Sequence, residues 1–429
     1  MSPPMQNLVP LHARDSRSTA IQYAWNGTTR TVVKLQPKDS HTNVHAQDFL
    51  SGIQSSFFPS PEQVTPDYWE YIKWRGWHRL FSSMSSIFST QSLLLAVGVG
   101  AKNTLPAAAG INWVLKDGLG RLGRLTVATK FGESFDADLK RFRFASSFIY
   151  AGALLIENLT PYVPQYFLPM AAIANVGKSV GLTTYISTQP AFYKSFAKAE
   201  NISDISAKSQ AQQMAIDTLG LALAVSLNLM VKQNARISRM LPLIMFPVLI
   251  PGDLYSIYQE LRSVHLRTLN KERAELLASA YVEGQRVLTP EAVSKMERFV
   301  MPSVTSSGAT PLEIRGLDGR VLSEEDARRF EKECRGSSKS RGRPYFLSAT
   351  RTRRKGQYTA SFRADCTSKD VLQVVLTMAY LRKEGEGLES AERLACRQVG
   401  AFVTGLKECG WQCDPFTLSK TERMFYNVL

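Results

Sequence analysis

Cysteine is scarce and lopsided. Five occur in 429 residues (Cys334, Cys366, Cys396, Cys409 and Cys413), all in the last hundred positions. An odd number in a chain this long implies no disulfide framework and makes a reducing compartment the default. Cys409 and Cys413 stand four apart without the second close pair that a four-ligand zinc site needs. His41 and His45 lack a third ligand at workable spacing. No metal site is expected. Histidine is equally sparse, with five residues that lie in the N-terminal third apart from His265. So few bases assemble no Ser/His/Asp or Cys/His set, which argues against nucleophilic hydrolysis. The N-terminus lacks an apolar run of signal-peptide type. Its Arg14, Ser16, Arg17, Ser18 and Thr19 suit an organelle transit peptide or a plain disordered tail.

Acid is missing from residues 335–355, where eight basic residues account for about half of the net charge of +15. A solvated linker is the plainest reading of that run, and no nucleic-acid partner is expected.

The largest absence is charge itself. Residues 144–193 hold only Glu157 and Lys178, whereas the overall 21% charged content would place about ten charges there. This span is excluded from water by protein, lipid or both. Prolines at 161, 164 and 169 divide it into helices near 144–158 and 168–196. Runs at 218–231 and 240–252 are also apolar, but with fourteen and thirteen residues they fall short of the roughly 20 a bilayer crossing needs. They read as buried core helices or as a broken pair kinked by Pro242, Pro247 and Pro251. An integral membrane protein is favoured over a soluble or peripheral helical bundle.

What is present divides the chain into four parts. Residues 1–46 form a flexible tail with a short strand over 31–35, and 47–300 a helical core. Residues 301–345 are a basic Ser/Gly/Arg-rich linker, and 346–429 a small α+β domain. The fold class is therefore mainly α, a multi-helix membrane-associated core with that C-terminal unit. Within the core, Thr65-Pro66-Asp67 starts an aromatic, basic helix. Leucine, isoleucine and valine recur near helical period from 254 to a C-terminal Gly284. Thr289-Pro290-Glu291 starts a short helix. In the C-terminal unit a strand covers 357–364, and helices cover 371–383 and 391–409, the second ending at Gly410-Trp411.

Gly118-Leu119-Gly120-Arg121-Leu122-Gly123 is a literal GxGxxG, but helix-like residues precede it where a dinucleotide fold needs a strand. Gly118, Gly120 and Gly123, like Gly177 and Gly181 of a GxxxG spacing, are read as close-packing positions. Candidate polar-core or anion-binding residues are Asp117, Arg121, Arg124, Lys140, Arg141, Lys178, Asp204 and Lys208. Buried singly, the acids need cationic partners, so ion pairs that fix helix packing compete with a polar pocket.

Several of these residues belong to an ordered set of motifs. Thr65-Pro66-Asp67-Tyr68, Ser89-Thr90-Gln91, residues 112–124, Lys140-Arg141-Phe142-Arg143, residues 201–208, residues 269–273 and residues 284–291 together resemble the root UVB sensitive (RUS) family. The chain departs from the family pattern at Thr188-Gln189-Pro190, Lys194-Ser195-Phe196 and residues 256–260, as a divergent branch would. The resemblance implies a non-enzymatic, membrane-associated helical protein of a plastid or another organelle. It further implies roles in vitamin B6 homeostasis, UV-B response and auxin-related development, exerted through another family member or a second copy. No cofactor is implied. The alternative is a carrier or binder of a small anionic metabolite such as a phosphorylated B6 vitamer. A pyridoxal-phosphate enzyme using Lys178 or Lys208 lacks a phosphate cup and a partner for the pyridine nitrogen.

Overall fold

The computed structural model describes residues 8–14, 20–26, 31–34, 52, 54–97, 114–115, 117–122, 125, 129, 138–198, 200–284, 286–297, 312–317, 324–336, 344–349, 358–384, 387–418, 422–423 and 425–426. The chain forms two compact units, residues 1–57 and 58–429. In the first, three strands form an antiparallel sheet in sequence order: β1 (Leu8–Arg14), β2 (Ala20–Asn26) and β3 (Thr31–Lys34). The sequence suggests only the last of them. Tyr23 and Trp25 on β2 and Val32 and Val33 on β3 supply strand-favouring residues over runs too short to stand out by periodicity.

The second unit opens with helix α1 (Asp67–Val97) at the expected Thr65-Pro66-Asp67 signal. Its entry is fixed to the end of a distant helix: the Thr65 amide donates to the Phe196 carbonyl at 3.0 Å, and Val64 bridges Ala197 antiparallel. The Thr65 hydroxyl, expected to cap the helix, is buried without a hydrogen-bond partner.

Four more long helices follow: α2 (Leu139–Leu159), α3 (Phe167–Phe196), α4 (Ile202–Val231) and α5 (Ala235–Ser263). Helix α1 packs most extensively on α5, then on α4 and α2, while α2 lies along α3. The distribution of side chains in this bundle is inside out. On α1 the buried positions include Tyr68, Tyr71, Arg75, His78, Ser82, Ser85, Ser89 and Ser92, spaced three and four apart along one seam. On α2 the buried set includes Arg143, Ser146, Ser147, Glu157 and Asn158, while Phe148 and Ile149 are exposed. Helix α4 exposes Met214, Leu219, Leu221, Leu229 and Met230, the last at 78%. Soluble proteins rarely leave so contiguous an apolar surface uncovered.

Among the described residues three helices are long and apolar enough to cross a membrane: α1, α4 and α5. As its prolines indicate, the charge-poor span of 144–193 yields two helices separated by 3₁₀ turns over 160–166, and neither is among the three. One sequence reading is corrected. The runs taken as too short become helices of 30 and 29 residues. The backbone hydrogen-bond ladder of a helix is indifferent to side-chain hydropathy, so α4 begins back at Ile202, before its apolar run. Pro242, Pro247 and Pro251 lie inside α5 without ending it.

The GxxxG spacing has a steric counterpart. A Cβ on Gly177 would sit 3.0 Å from Ala153 Cβ, and one on Gly181 would sit 3.1 Å from the Tyr150 ring. Both glycines let α3 approach α2. Gly177→Leu should separate the two helices and lower stability by about 1–3 kcal/mol, read as a fall in unfolding temperature of the detergent-purified protein. An unchanged transition would show that α2 and α3 do not need this contact.

The expected single helix over 254–284 is interrupted. Helix α5 ends at Ser263, strand β4 (Thr268–Asn270) follows, and α6 (Lys271–Gly284) begins immediately after it. Asn270 caps α6, its Oδ1 accepting from the Arg273 amide at 3.0 Å. The Val264 carbonyl is taken by the Ser294 hydroxyl at 3.0 Å. Helix α7 (Pro290–Met296) has its Thr289 cap, with Oγ1 accepting from the Ala292 amide at 3.4 Å.

From Leu269 onward the buried residues share one core with the C-terminal region. That core joins α6 to β5 (Leu312–Ile314), β6 (Tyr345–Ala349), β7 (Tyr358–Arg363), α9 (Ser368–Glu384), α10 (Leu388–Glu408) and β8 (Gln412–Thr417), while α8 (Glu324–Gly336) lies against β6 and β9 (Phe425–Tyr426) against β7. Strand β7 pairs antiparallel with β6 and parallel with β5 and β9, and β8 pairs parallel with β4. Helix α10 ends in a Schellman turn. Gly410 has φ 85°, its amide donates to the Lys407 carbonyl, and the Trp411 amide donates to the Leu406 carbonyl. The basic run of 335–355 lies largely outside the described residues.

Candidate functional site

The polar seam of α1 meets polar residues from all four other long helices. Arg75 is its hub. The guanidinium donates to the hydroxyls of Tyr71 at 2.8 Å, Tyr193 at 3.0 Å and Tyr185 at 2.6 Å, and to Gln213 Oε1 at 3.4 Å. The faces of the three tyrosines lie 5.8 Å from the guanidinium carbon. Gln189 donates to Tyr71 and Tyr193 donates to Ser209, so the network is tied into α3 and α4. A charge this deep persists because nearly every donor has an acceptor or a ring beneath it.

One turn along, His78 stands between two buried carboxylates on α5. Its Nδ1 is 2.8 Å from Glu260 Oε2 and its Nε2 is 3.5 Å from Asp253 Oδ1. Glu260 Oε1 and Asp253 Oδ1 are buried without a hydrogen-bond partner. Arg79 holds Asp217 of α4 through contacts of 2.6 and 2.8 Å.

Between these groups lies a cavity of about 190 Å³, lined by His78, Arg79, Ser82, Arg143, Ser146, Ser147, Tyr150, Gly181, Leu182, Tyr185, Gln213 and Asp253. Ligand pockets usually enclose about 300–1,000 Å³, so this one suits a small, single-ring or smaller molecule. Arg143 is its distinctive wall. The residue is 6% exposed, its guanidinium lies 4.4 Å over the Tyr185 ring, and its Nε is buried with no hydrogen-bond partner. No described carboxylate lies within 4.0 Å of it. A buried guanidinium with spare donors, beside three serine hydroxyls and two more basic side chains, is chemistry for an anion.

The residues singled out from sequence lie elsewhere and not in one place. Lys178 pairs with Glu157 at 2.5 Å between α3 and α2. Lys208 and Asp204 pair at 2.8 Å, one turn apart on α4. Lys140 joins Glu297 at 2.5 Å and Ser294 at 2.9 Å, and Arg141 reaches Glu272 at 2.7 Å and Asp138 at 3.2 Å. Asp117 accepts from Asn175 at 3.5 Å, and Arg121 is exposed. A Cβ on helical Gly120 would overlap the Asn175 amide, whereas one on Gly118 would meet open space. Arg124 and Gly123 lie outside the described residues. Lys140, Arg141 and Lys178 thus sit in separate ion pairs that join different elements, while Lys208–Asp204 lies within one helix. The cavity instead gathers His78, Arg79, Arg143 and Asp253. Their signal was present as polar residues three and four apart on α1, and as Arg143 within Lys140-Arg141-Phe142-Arg143.

A family profile described as a vitamin B6 photo-protection and homoeostasis domain matches residues 43–285, more than half of the chain. The chain belongs to the root UVB sensitive family. Every residue lining the cavity falls inside the matched span. The chain is 38% identical to protein root UVB sensitive 4 of Arabidopsis thaliana over 273 residues, 63% of this chain and 52% of that one. It is 38% identical to root UVB sensitive 6 of the same plant over 245 residues, 57% of this chain and 48% of that one. Similarity to the Arabidopsis protein named root UVB sensitive 2, chloroplastic, is lower at 25%, but extends over 86% of this chain and 84% of that one. The root UVB sensitive chain described here thus spans about half the length of the first two relatives. No solved structure matches.

Proposed function

We propose that this root UVB sensitive protein is a non-enzymatic membrane protein that serves vitamin B6 homeostasis by holding a small anionic metabolite in the Arg143 cavity. The observation that carries the reading is Arg143 itself, buried, facing a cavity and short of acceptors. The family profile's vitamin B6 description supports a phosphorylated B6 vitamer as the anion. The apolar outer faces of α1, α4 and α5 support insertion in a bilayer. Similarity to a relative named chloroplastic favours a plastid membrane. Neither Lys178 nor Lys208 lines the cavity, so a Schiff-base role for them has no support.

The test uses pyridoxine 5′-phosphate, which carries the phosphate but no aldehyde to react with lysines. Protein in nanodiscs should bind it and bind pyridoxine at least about tenfold more weakly. Arg143→Gln should lose about 1.5–3 kcal/mol of affinity, roughly ten- to hundredfold, for lost charge-assisted hydrogen bonds. Absence of binding to wild type, or an Arg143→Gln variant with wild-type affinity, would remove the proposal. Carbonate extraction should leave the protein in the membrane pellet.

A second reading keeps the family member as an interaction factor, including in the UV-B and auxin-related roles that the resemblance implies. It is favoured by the scattered ion pairs Glu157–Lys178 and Lys140–Glu297, which join separate elements away from the cavity. In that reading another family member, or a second copy, covers part of the apolar face of α4. Crosslinking in membranes checks it, and recovery of the monomer alone counts against it.

A further inference from the structure

The two acids facing His78 have no role in holding an anion, and their placement calls for a different account. Around the cavity three guanidinium groups, Arg75, Arg79 and Arg143, are matched by three carboxylates, Asp217, Asp253 and Glu260. Tyr71, Tyr150, Tyr185 and Tyr193, with Gln213, complete the polar surroundings from α1, α2, α3 and α4. With His78 neutral these described groups sum to no net charge. An anion entering a site of no net charge is opposed by desolvation that the Arg143 donors offset only in part.

His78 offers the compensation. Both ring nitrogens face a carboxylate, Nδ1 toward Glu260 at 2.8 Å and Nε2 toward Asp253 at 3.5 Å. A neutral imidazole has one N–H, so it can donate to only one of them. With both acids ionised, the other contact sets one lone pair against another. The longer contact is the one to Asp253 Oδ1, an oxygen with no hydrogen-bond partner. One additional proton on this trio turns that contact into a hydrogen bond and makes the cavity positive by one charge.

We propose that the cavity binds a proton together with its anion, at the His78–Asp253–Glu260 trio, so that the protein is a proton-coupled binder of a phosphate-bearing anion. This rests on the anion reading above. Coupling is reciprocal: the anion favours the protonated trio, and the proton raises affinity for the anion. Asp253 also lines the cavity, which places the proton site against the ligand rather than behind it.

The experiment is calorimetric titration of pyridoxine 5′-phosphate into nanodisc protein near neutral pH, in two buffers of different ionisation enthalpy. The free ligand's phosphate titrates identically with every variant, so at a pH where it is fully dianionic, differences between variants report protons taken up at the site. Wild type should take up about one proton more per anion than His78→Gln. Its affinity should fall as pH rises, by up to about tenfold per pH unit, beyond any change due to the ligand. Asp253→Asn removes a negative charge, so it should also lose proton uptake but bind at least as tightly as wild type. His78→Gln should bind more weakly than wild type at the acid end of the pH series. A shared loss of uptake with opposite effects on affinity is not produced by misfolding. Binding with equal uptake in all three proteins overturns the coupling and leaves the anion reading standing. No binding to wild type overturns both.

Discussion

Glu297→Ala should destabilise the protein by about 3–5 kcal/mol, the range for removing one partner of a buried ion pair. Glu297 is bound on two sides: Lys140 Nζ lies 2.5 Å from its Oε2, and Arg273 Nε donates to its Oε1. All three side chains are at most 6% exposed. The cluster joins the first turn of α2 to α6 and to the end of α7, so it fastens the helical bundle to the C-terminal core. Burial pushes the Glu297 carboxyl up, but Arg273 and Lys140 outweigh it and the net shift is downward. For Lys140, burial depresses the ammonium, Glu297 opposes this and Arg273 adds to it, and the net shift is again downward. Two cations share one carboxylate, so losing that carboxylate removes a buried ion pair from each. The acid side of the stability profile carries the sign. A carboxyl lowered by folding contributes stability that is present above its ordinary value of 4.5 and is lost as pH falls through the lowered value. Wild type should therefore lose more stability than Glu297→Ala as pH drops below about 4.5. Thermal unfolding across that range reads both effects, and parallel pH profiles for the two proteins would refute the ion-pair account.

Helix positions were legible in the sequence wherever a local signal closes an element. Thr65-Pro66-Asp67, Thr289-Pro290-Glu291 and Gly410-Trp411 mark ends that the structure reproduces, because caps and left-handed turns are set by neighbouring residues. The break between α5 and α6 was not legible from apolar period. Leucine, isoleucine and valine keep near-helical spacing across it, while β4 is drawn out by pairing with β8, some 140 residues later. Asn270 was the available local signal, as the N-cap of α6.

The site was harder to read because charge scarcity marks only its uncharged walls. Residues 144–193 attract attention for holding only two charges, and those two pair with each other between adjacent helices. The cavity takes its charged groups instead from α1, the start of α2, and α5 (His78, Arg79, Arg143 and Asp253), while residues 144–193 supply uncharged walls such as Ser146, Tyr150 and Tyr185. On α1 and α5 charged and polar residues alternate with apolar ones at helical spacing, and composition averages that pattern away. Only the direction each side chain takes reveals that the polar members of α1 face inward while Trp77, Leu94 and Leu95 face out.

Arg75→Met should cost about 3–5 kcal/mol in stability and abolish binding at the cavity, although Arg75 is absent from the cavity lining. Its guanidinium satisfies Tyr71, Tyr185 and Tyr193 at once, and these hydroxyls sit on α1 and α3. Without it, buried phenols lose their donor, and Tyr185 loses the bond that orients its ring beneath Arg143. Arg75→Lys tests geometry apart from charge. An ammonium has three donors on one atom and cannot span hydroxyls that two guanidinium nitrogens now divide between them. It should keep part of the stability but lose most of the affinity for pyridoxine 5′-phosphate. Equal loss of stability in the two variants would mean that charge alone matters at this position. Wild-type binding in Arg75→Lys would mean that the tyrosine platform does not position Arg143.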